Sequence, residues 1–318
     1  METETRSAPA VAAVRLRDVL APVLTPFEAD LSPSVPRFVR HCRALVAQGV
    51  GLAVFGTNSE GNSLSVAEKR TLLDALVDAG LPPSRMMPGT GTCALPDTIE
   101  LTRHAVRAGC AGVLMLPPFY YKSVSDEGLY RSFASVIDAV ADPRLRVYLY
   151  HIPPVAQVGI SLPLIERLLA AYPGVVAGIK DSSGDWNNTK AVIDAFGARG
   201  FDVFAGSETF LLQTLRAGGA GCISATANVN GGVIAASAAA WRETGADDRQ
   251  GALDRVRAAF QKRPMIAAMK AAIASGTGDA GWCRVRPPLV ELDAEACRGL
   301  DTDLDAIGYA RPTLAMPA

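Results

Sequence analysis

Histidine and clustered cysteine are scarce in this 318-residue chain, and their scarcity removes several chemistries. Only His41, His104 and His151 are present, with no HExxH pattern and no Cys/His cluster, so no built-in zinc site is expected. The six cysteines, Cys42, Cys93, Cys110, Cys222, Cys283 and Cys297, are widely spaced and form no CxxC pair, which fits reduced core thiols. An excess of either charge is also missing. The 31 basic and 32 acidic residues are scattered and leave a net charge of −1, giving no electrostatic footprint for nucleic acid or anionic lipid. No stretch approaches the roughly 18 continuous apolar residues of a membrane span, and Met1–Arg6 lacks the basic and apolar regions of a signal peptide. These absences lead us to expect a cytoplasmic protein with a short disordered leader over residues 1–16.

What is present is a regular alternation. Short apolar runs at 19–27, 50–56, 86–91, 112–117, 146–152, 175–181, 202–207 and 221–226 read as strands. Segments with helical spacing follow them, near 34–48, 65–79, 95–108, 126–141, 161–172, 187–196, 208–217 and 231–242. Strands that are apolar throughout, alternating with helices, imply parallel βαβ units covered on both faces. Eight such units favour a closed (β/α)8 TIM barrel, here spanning 17–243, over an open sheet. A doubly wound nucleotide-binding sheet is disfavoured because the first strand ends in Thr25-Pro26-Phe27 rather than a GxGxxG turn. After residue 243 only helical patterns remain, near 247–262, 264–275 and 293–300, so 244–318 reads as a C-terminal helical extension.

Active sites of such barrels lie at the C-terminal ends of the strands, which makes the polar residues there the candidates. Lys180 ends the buried run Val175-Val176-Ala177-Gly178-Ile179-Lys180-Asp181. Burying its charge is costly, and two readings are open: a neutral amine serving as nucleophile towards a carbonyl, or a structural ion pair with Asp181 or another carboxylate. Tyr150 occupies the matching position one strand earlier, where its hydroxyl either serves proton transfer or is a satisfied core group. The loop Gly56-Thr57-Asn58-Ser59-Glu60 offers hydroxyls and a run of backbone N–H groups suited to a small carboxylate, although the same residues suit a tight turn. Tyr120-Tyr121 follow Pro117-Pro118-Phe119 on the rim, as part of a proton relay or as an aromatic cluster between subunits.

Together these motifs resemble the dihydrodipicolinate synthase/N-acetylneuraminate lyase family of class I pyruvate-dependent aldolases and lyases, over about residues 17–292. The matches come in order: Gly56-Thr57-Asn58-Ser59-Glu60, Gly89-Thr90-Gly91, Tyr120-Tyr121 with Glu127-Gly128-Leu129-Tyr130, Tyr150-His151-Ile152-Pro153, Gly178-Ile179-Lys180-Asp181 and Gly221-Cys222-Ile223-Ser224. The resemblance implies a Schiff-base lysine at Lys180, an acid/base tyrosine at Tyr150, and a relay through Thr57 to Tyr121 of a neighbouring subunit. It also implies pyruvate carboxylate binding by the N–H groups of Thr57 and Asn58, a pocket wall at Ile223, and a homo-oligomer, usually a tetramer of tight dimers. No metal or organic cofactor is required.

The chain departs from the pattern in two places. Dihydrodipicolinate synthases carry an arginine five residues after the barrel tyrosine, whereas this chain reads Pro154-Val155-Ala156-Gln157-Val158, without a cation. A neutral site cannot replace a bidentate Arg–carboxylate contact. In the loop, Ser59 replaces the usual glycine and Asn58 the usual threonine or serine. The leading expectation is therefore a lyase or aldolase acting on pyruvate, a 2-keto-3-deoxy acid or a 4-hydroxy-2-oxo acid. Its rivals are a 4-hydroxy-tetrahydrodipicolinate synthase, a barrel that only binds a carboxylate, and a nucleotide-dependent oxidoreductase.

Overall fold

In the computed structural model, residues 15–313 are described; the expected leader over 1–16 falls almost wholly outside them. Seven parallel strands carry the architecture: β1 (Asp18–Ala21), β2 (Gly51–Leu52), β3 (Val113–Met115), β4 (Val147–His151), β5 (Val176–Asp181), β6 (Asp202–Ala205) and β7 (Gly221–Ile223). They pair in the order β2-β1-β7-β6-β5-β4-β3. The eighth expected strand, 86–91, is not a regular one, yet it closes the ring. Met87 and Gly89 donate to the carbonyls of Leu52 and Val54 on one side (2.8 and 2.7 Å), and Thr90 donates to Leu114 on the other (3.0 Å). Pro88 has no N–H to give, which interrupts a continuous ladder. The chain is thus a (β/α)8 barrel with helices appended after it.

Helices α1 (Val35–Ala47), α2 (Val66–Asp78), α3 (Leu95–Arg107), α4 (Asp126–Val140), α5 (Pro153–Ala156), α6 (Leu162–Ala171), α7 (Trp186–Phe196), α8 (Leu211–Arg216) and α9 (Ala227–Ala239) surround the sheet. Several begin where the sequence supplies a cap. The Ser65 hydroxyl accepts from Glu68 N and the Glu68 carboxylate accepts from Ser65 N, a reciprocal capping box. α5 was not expected from the sequence: four residues are too few to show a helical period.

Alternation along each strand sorts its side chains into two layers. In β4, Tyr148 and Tyr150 point into the barrel, beside Leu20, Phe204 and Ile223. Val147 and Leu149 point outward, into the large core shared with the helices. The register sets Tyr150 opposite Lys180, and Lys180 opposite Phe204. At the N-terminal end of the barrel Asp202 accepts from Arg17 and Tyr148 (both 3.1 Å), which closes that end and leaves the other for a site.

Beyond the barrel, α10 (Ala246–Gln261), α11 (Met265–Thr277) and α12 (Ala294–Ala306) enclose a core of their own. Phe260, Met269, Ile273, Trp282 and Leu304 pack there with Leu24, Ala44 and Val229 of the barrel. His41 of α1 is fully buried where these parts meet, edge-on to Trp282 with ring centroids 5.2 Å apart. The Asn228 Oδ1 already accepts from Leu24 N (2.9 Å), so His41 Nε2, at 3.0 Å, is the donor to it. Burial pulls the His41 pKa down to about 4, against a smaller opposing effect of Asn228.

The folded pKa lies below the unfolded one, so the unfolded chain binds the extra proton between about pH 6.5 and pH 4 and stability falls with pH across that window. The His41 contribution to this loss is on the order of 3 kcal/mol. Urea unfolding over this range is expected to show a shallower acid loss in a His41→Leu variant than in the unaltered protein. Equal slopes would refute the assignment.

Candidate active site

Lys180 is the penultimate residue of β5, only 2% exposed, and projects into the barrel rather than towards the helices. Its Nζ donates to the Tyr150 hydroxyl at 3.2 Å and lies 4.3 Å from the centre of that ring. The Tyr150 hydroxyl is in turn 3.1 Å from Thr57 Oγ1. These three polar groups form one continuous chain from the base of the pocket to the loop after β2. No carboxylate among the described residues pairs with Lys180. Asp181, the obvious candidate, faces the opposite side of the strand, as period two requires, and accepts from Ser183 N (2.9 Å), Asn188 Nδ2 (2.9 Å) and Thr189 Oγ1 (2.7 Å). The ion-pair reading of Lys180 thus has no partner to support it.

His151 shares that outward face. Its Nδ1 accepts from Ile160 N at 2.9 Å, and its Nε2 stands 4.0 Å from Asp181 Oδ1. Burial lowers its pKa, partly offset by the Asp181 charge. It braces the β4 exit and does not meet Lys180.

The loop after β2 turns back on itself tightly. A Cβ on Gly61 would lie 2.1 Å from the Phe55 carbonyl oxygen, so no larger residue fits. Phe55 and Glu60 sit at φ 65° and 54°, a left-handed conformation that costs about 1–3 kcal/mol for non-glycine residues and must be held by the surroundings. The N–H groups of Gly56, Ser59, Glu60 and Gly61 are all used within the loop. Those of Thr57 and Asn58 have no partner among the described residues, leaving two adjacent donors for an anion.

Glu60 ties this loop to the C-terminal helices. Its carboxylate accepts from Lys270 Nζ and, at 2.8 Å, from Arg286 N, while Lys270 Nζ also donates to the Arg284 carbonyl at 2.7 Å. Both charged side chains are fully buried. Burial brings the Lys270 pKa down to about 8, with Glu60 opposing the shift.

A cavity of about 330 Å³ opens above Lys180. Asn58, Tyr150 and Lys180 line one part; Ser182, Ser207 and Thr209 line another; Arg257, Gln261 and Met265 reach in from α10 and α11. The structure therefore gathers Lys180, Tyr150, Thr57 and Asn58. Ile223 is fully buried in the barrel interior with Tyr150 but is not among the residues lining the cavity. Tyr121 stands apart on the rim, 73% exposed, edge-on to Tyr120 at 5.3 Å. Ser182 directly follows the end of β5 and Ser207 lies two residues past the end of β6, so the rule that selected Lys180 reaches them too. Arg257 and Gln261 belong to helices and carry no such signal. No group of three His, Cys, Asp or Glu residues able to hold a metal ion occurs among the described residues.

A model of the dihydrodipicolinate synthetase family matches residues 15–307. A DapA-like lyase of Chloroflexus aurantiacus is 35% identical over 289 residues, covering 89% of this chain and 94% of that protein. Among solved structures, dihydrodipicolinate synthase of Agrobacterium tumefaciens superposes with a TM-score of 0.83 at 32% identity, over 91% of this chain and 99% of the other. A prophage protein of the same family from E. coli K12, solved in complex with pyruvate, gives a TM-score of 0.83 at 29% identity, over 92% and 99%.

Proposed function

Since the chain belongs to the dihydrodipicolinate synthetase family and is a lyase, we propose that it works through an imine on Lys180 formed with pyruvate, a 2-keto-3-deoxy acid or a 4-hydroxy-2-oxo acid. The observation that carries this reading is the unbroken chain Lys180–Tyr150–Thr57, in which the buried amine has a hydroxyl neighbour and no carboxylate among the described residues. Such a lysine can shed its proton without breaking an ion pair, which is what a nucleophilic amine needs.

The sequence of events follows from that arrangement. The C1 carboxylate docks on the N–H groups of Thr57 and Asn58, placing C2 beside Nζ. The amine adds to the C2 carbonyl, Tyr150 protonates the departing oxygen, and water leaves as the imine forms. Tyr150 then takes the proton of the C4 hydroxyl, the C3–C4 bond breaks, and its electrons pass into the imine as an enamine while C4 departs as an aldehyde. Protonation at C3 and hydrolysis release pyruvate and free Lys180. Where a 4-hydroxyl leaves instead, the same electron sink serves dehydration. Thr57 relays protons from Tyr150, joined by Tyr121 of a neighbouring subunit in a homo-oligomer, and Ile223, beside Tyr150 in the barrel interior, supports the site from behind the cavity wall. No cofactor takes part.

The segment 154–158 supplies no cation, so the arginine grip expected of a 4-hydroxy-tetrahydrodipicolinate synthase has no counterpart there, although relatives bearing that name match this chain. We further place the protein in the cytoplasm and divide it into a barrel over 17–243 and a helical region over 244–318. The six free thiols and the absence, among the described residues, of any helix long and apolar enough to cross a membrane support the location.

The imine is tested by incubating the protein with pyruvate and borohydride and digesting it. The peptide containing Lys180 is expected to gain the mass of a reduced pyruvyl adduct; an unmodified Lys180 peptide overturns the proposal.

A further inference from the structure

The segment after Tyr150 offers no cation, yet the cavity has one from elsewhere. Arg257 lies on α10, with its side chain 11% exposed, and lines the same cavity as Lys180. Its Nη1 donates to Glu208 Oε2 at 3.0 Å and to Ser224 Oγ at 3.1 Å. Glu208 is 1% exposed at its side chain; Oε2 also accepts from the Ser224 hydroxyl, and Oε1 accepts from the Thr226 hydroxyl. The guanidinium is thus fixed in place by a carboxylate that cannot turn away, and its charge is matched there. Its Nε has no hydrogen-bond partner, and Nη2 makes no hydrogen bond among the described residues.

We infer that Arg257, clamped by Glu208, is the specificity-determining residue for the end of the substrate remote from the imine, and that it selects an uncharged, hydroxylated chain over a second carboxylate. The inference rests on the imine reading of Lys180. A guanidinium already neutralised by a buried partner keeps its N–H donors but has little net field left for an anion, and an incoming carboxylate would meet the Glu208 charge just beyond it. A hydroxyl carries no such penalty, since it accepts from Arg257 and donates or accepts among Ser182, Ser207, Thr209 and Gln261 in the same cavity.

The test compares turnover of two 2-oxo acids of equal length, 2-keto-3-deoxygluconate with a hydroxymethyl end and 2-keto-3-deoxyglucarate with a carboxylate end, read as substrate loss so that cleavage and dehydration both register. The unaltered protein is expected to favour the gluconate in kcat/KM. Glu208→Gln, which keeps the shape and hydrogen-bonding reach of the side chain but unmasks the Arg257 charge, is expected to shift the ratio towards the glucarate by about tenfold or more. Arg257→Met is expected to lower kcat/KM for the gluconate by about tenfold or more. Arg257→Lys, which keeps the partner of Glu208 and so the fold, is expected to recover only part of that loss. A glucarate preference in the unaltered protein, or a ratio unmoved by Glu208→Gln, overturns the inference. Borohydride trapping with pyruvate separates the two levels: if Lys180 is labelled while the ratio stays fixed, only the assignment to Arg257 fails, whereas no label removes the imine and this inference with it.

Discussion

Replacing Lys180 by alanine is expected to lower turnover of a 2-oxo acid by more than about 10⁴-fold, the order of loss seen when a covalent nucleophile is removed from a site whose groups act as a unit. Stability is expected to move the other way or not at all. The lysine is 2% exposed and has a hydroxyl rather than a carboxylate as its neighbour, so its removal relieves a desolvated amine and leaves no charge unpaired. A structural ion pair would behave in the opposite manner: losing one partner of a buried pair costs about 3–5 kcal/mol. Steady-state rates measured beside chemical denaturation decide between them. Retained turnover in a folded variant would sink the catalytic role. Binding of a 2-oxo acid provides a further control, because the N–H groups of Thr57 and Asn58 and the remaining cavity are unchanged. A protein that only bound carboxylates would have no turnover to lose.

Lys270→Met is expected to destabilise the protein by about 3–5 kcal/mol, because Glu60 would be left charged and fully buried with a backbone N–H as its remaining partner. The double variant Glu60→Gln/Lys270→Met should recover most of that loss, since a neutral amide still accepts from Arg286 N. Chemical denaturation of the two variants checks both statements, and a loss below about 1 kcal/mol for Lys270→Met would contradict the first. The consequence extends to the site. Glu60 holds the left-handed end of the loop that presents Thr57, so the single variant is also expected to loosen the Thr57–Tyr150 contact of 3.1 Å. In this way Lys270 of α11 acts on the loop that presents Thr57 without itself lining the cavity.

The barrel was legible because its evidence is local. Each apolar run and each helical period can be read within about ten residues, and burial on both faces is what makes β4, β5 and β6 apolar over most of their length. The family resemblance was legible for the same reason: its motifs are short and sit at strand ends, and the match over residues 15–307 bears it out. Asp181 was open as an ion-pair partner of Lys180 in the sequence, and its place on the opposite face of β5 emerged with the contacts it makes to Ser183, Asn188 and Thr189. The segment 86–91 was harder, since an apolar run does not reveal that Pro88 and its neighbours make single bridges on each side instead of a ladder.

What tertiary structure alone decided are the contacts made across long stretches of chain. Glu60 meets Lys270 across 210 residues, and Arg257 meets Glu208 across 49. Nothing in the helical pattern of α10 or α11 marks those residues, because a period identifies the buried face of a helix but not the surface that face will cover. A lysine and an arginine amid helical spacing read as solvated charges until packing brings them against the barrel. The sequence by itself determined the fold, the family and the residues at the strand ends; the docking of the last helices decided which residues complete the cavity above Lys180, since that depends on how separate elements fill one another's space.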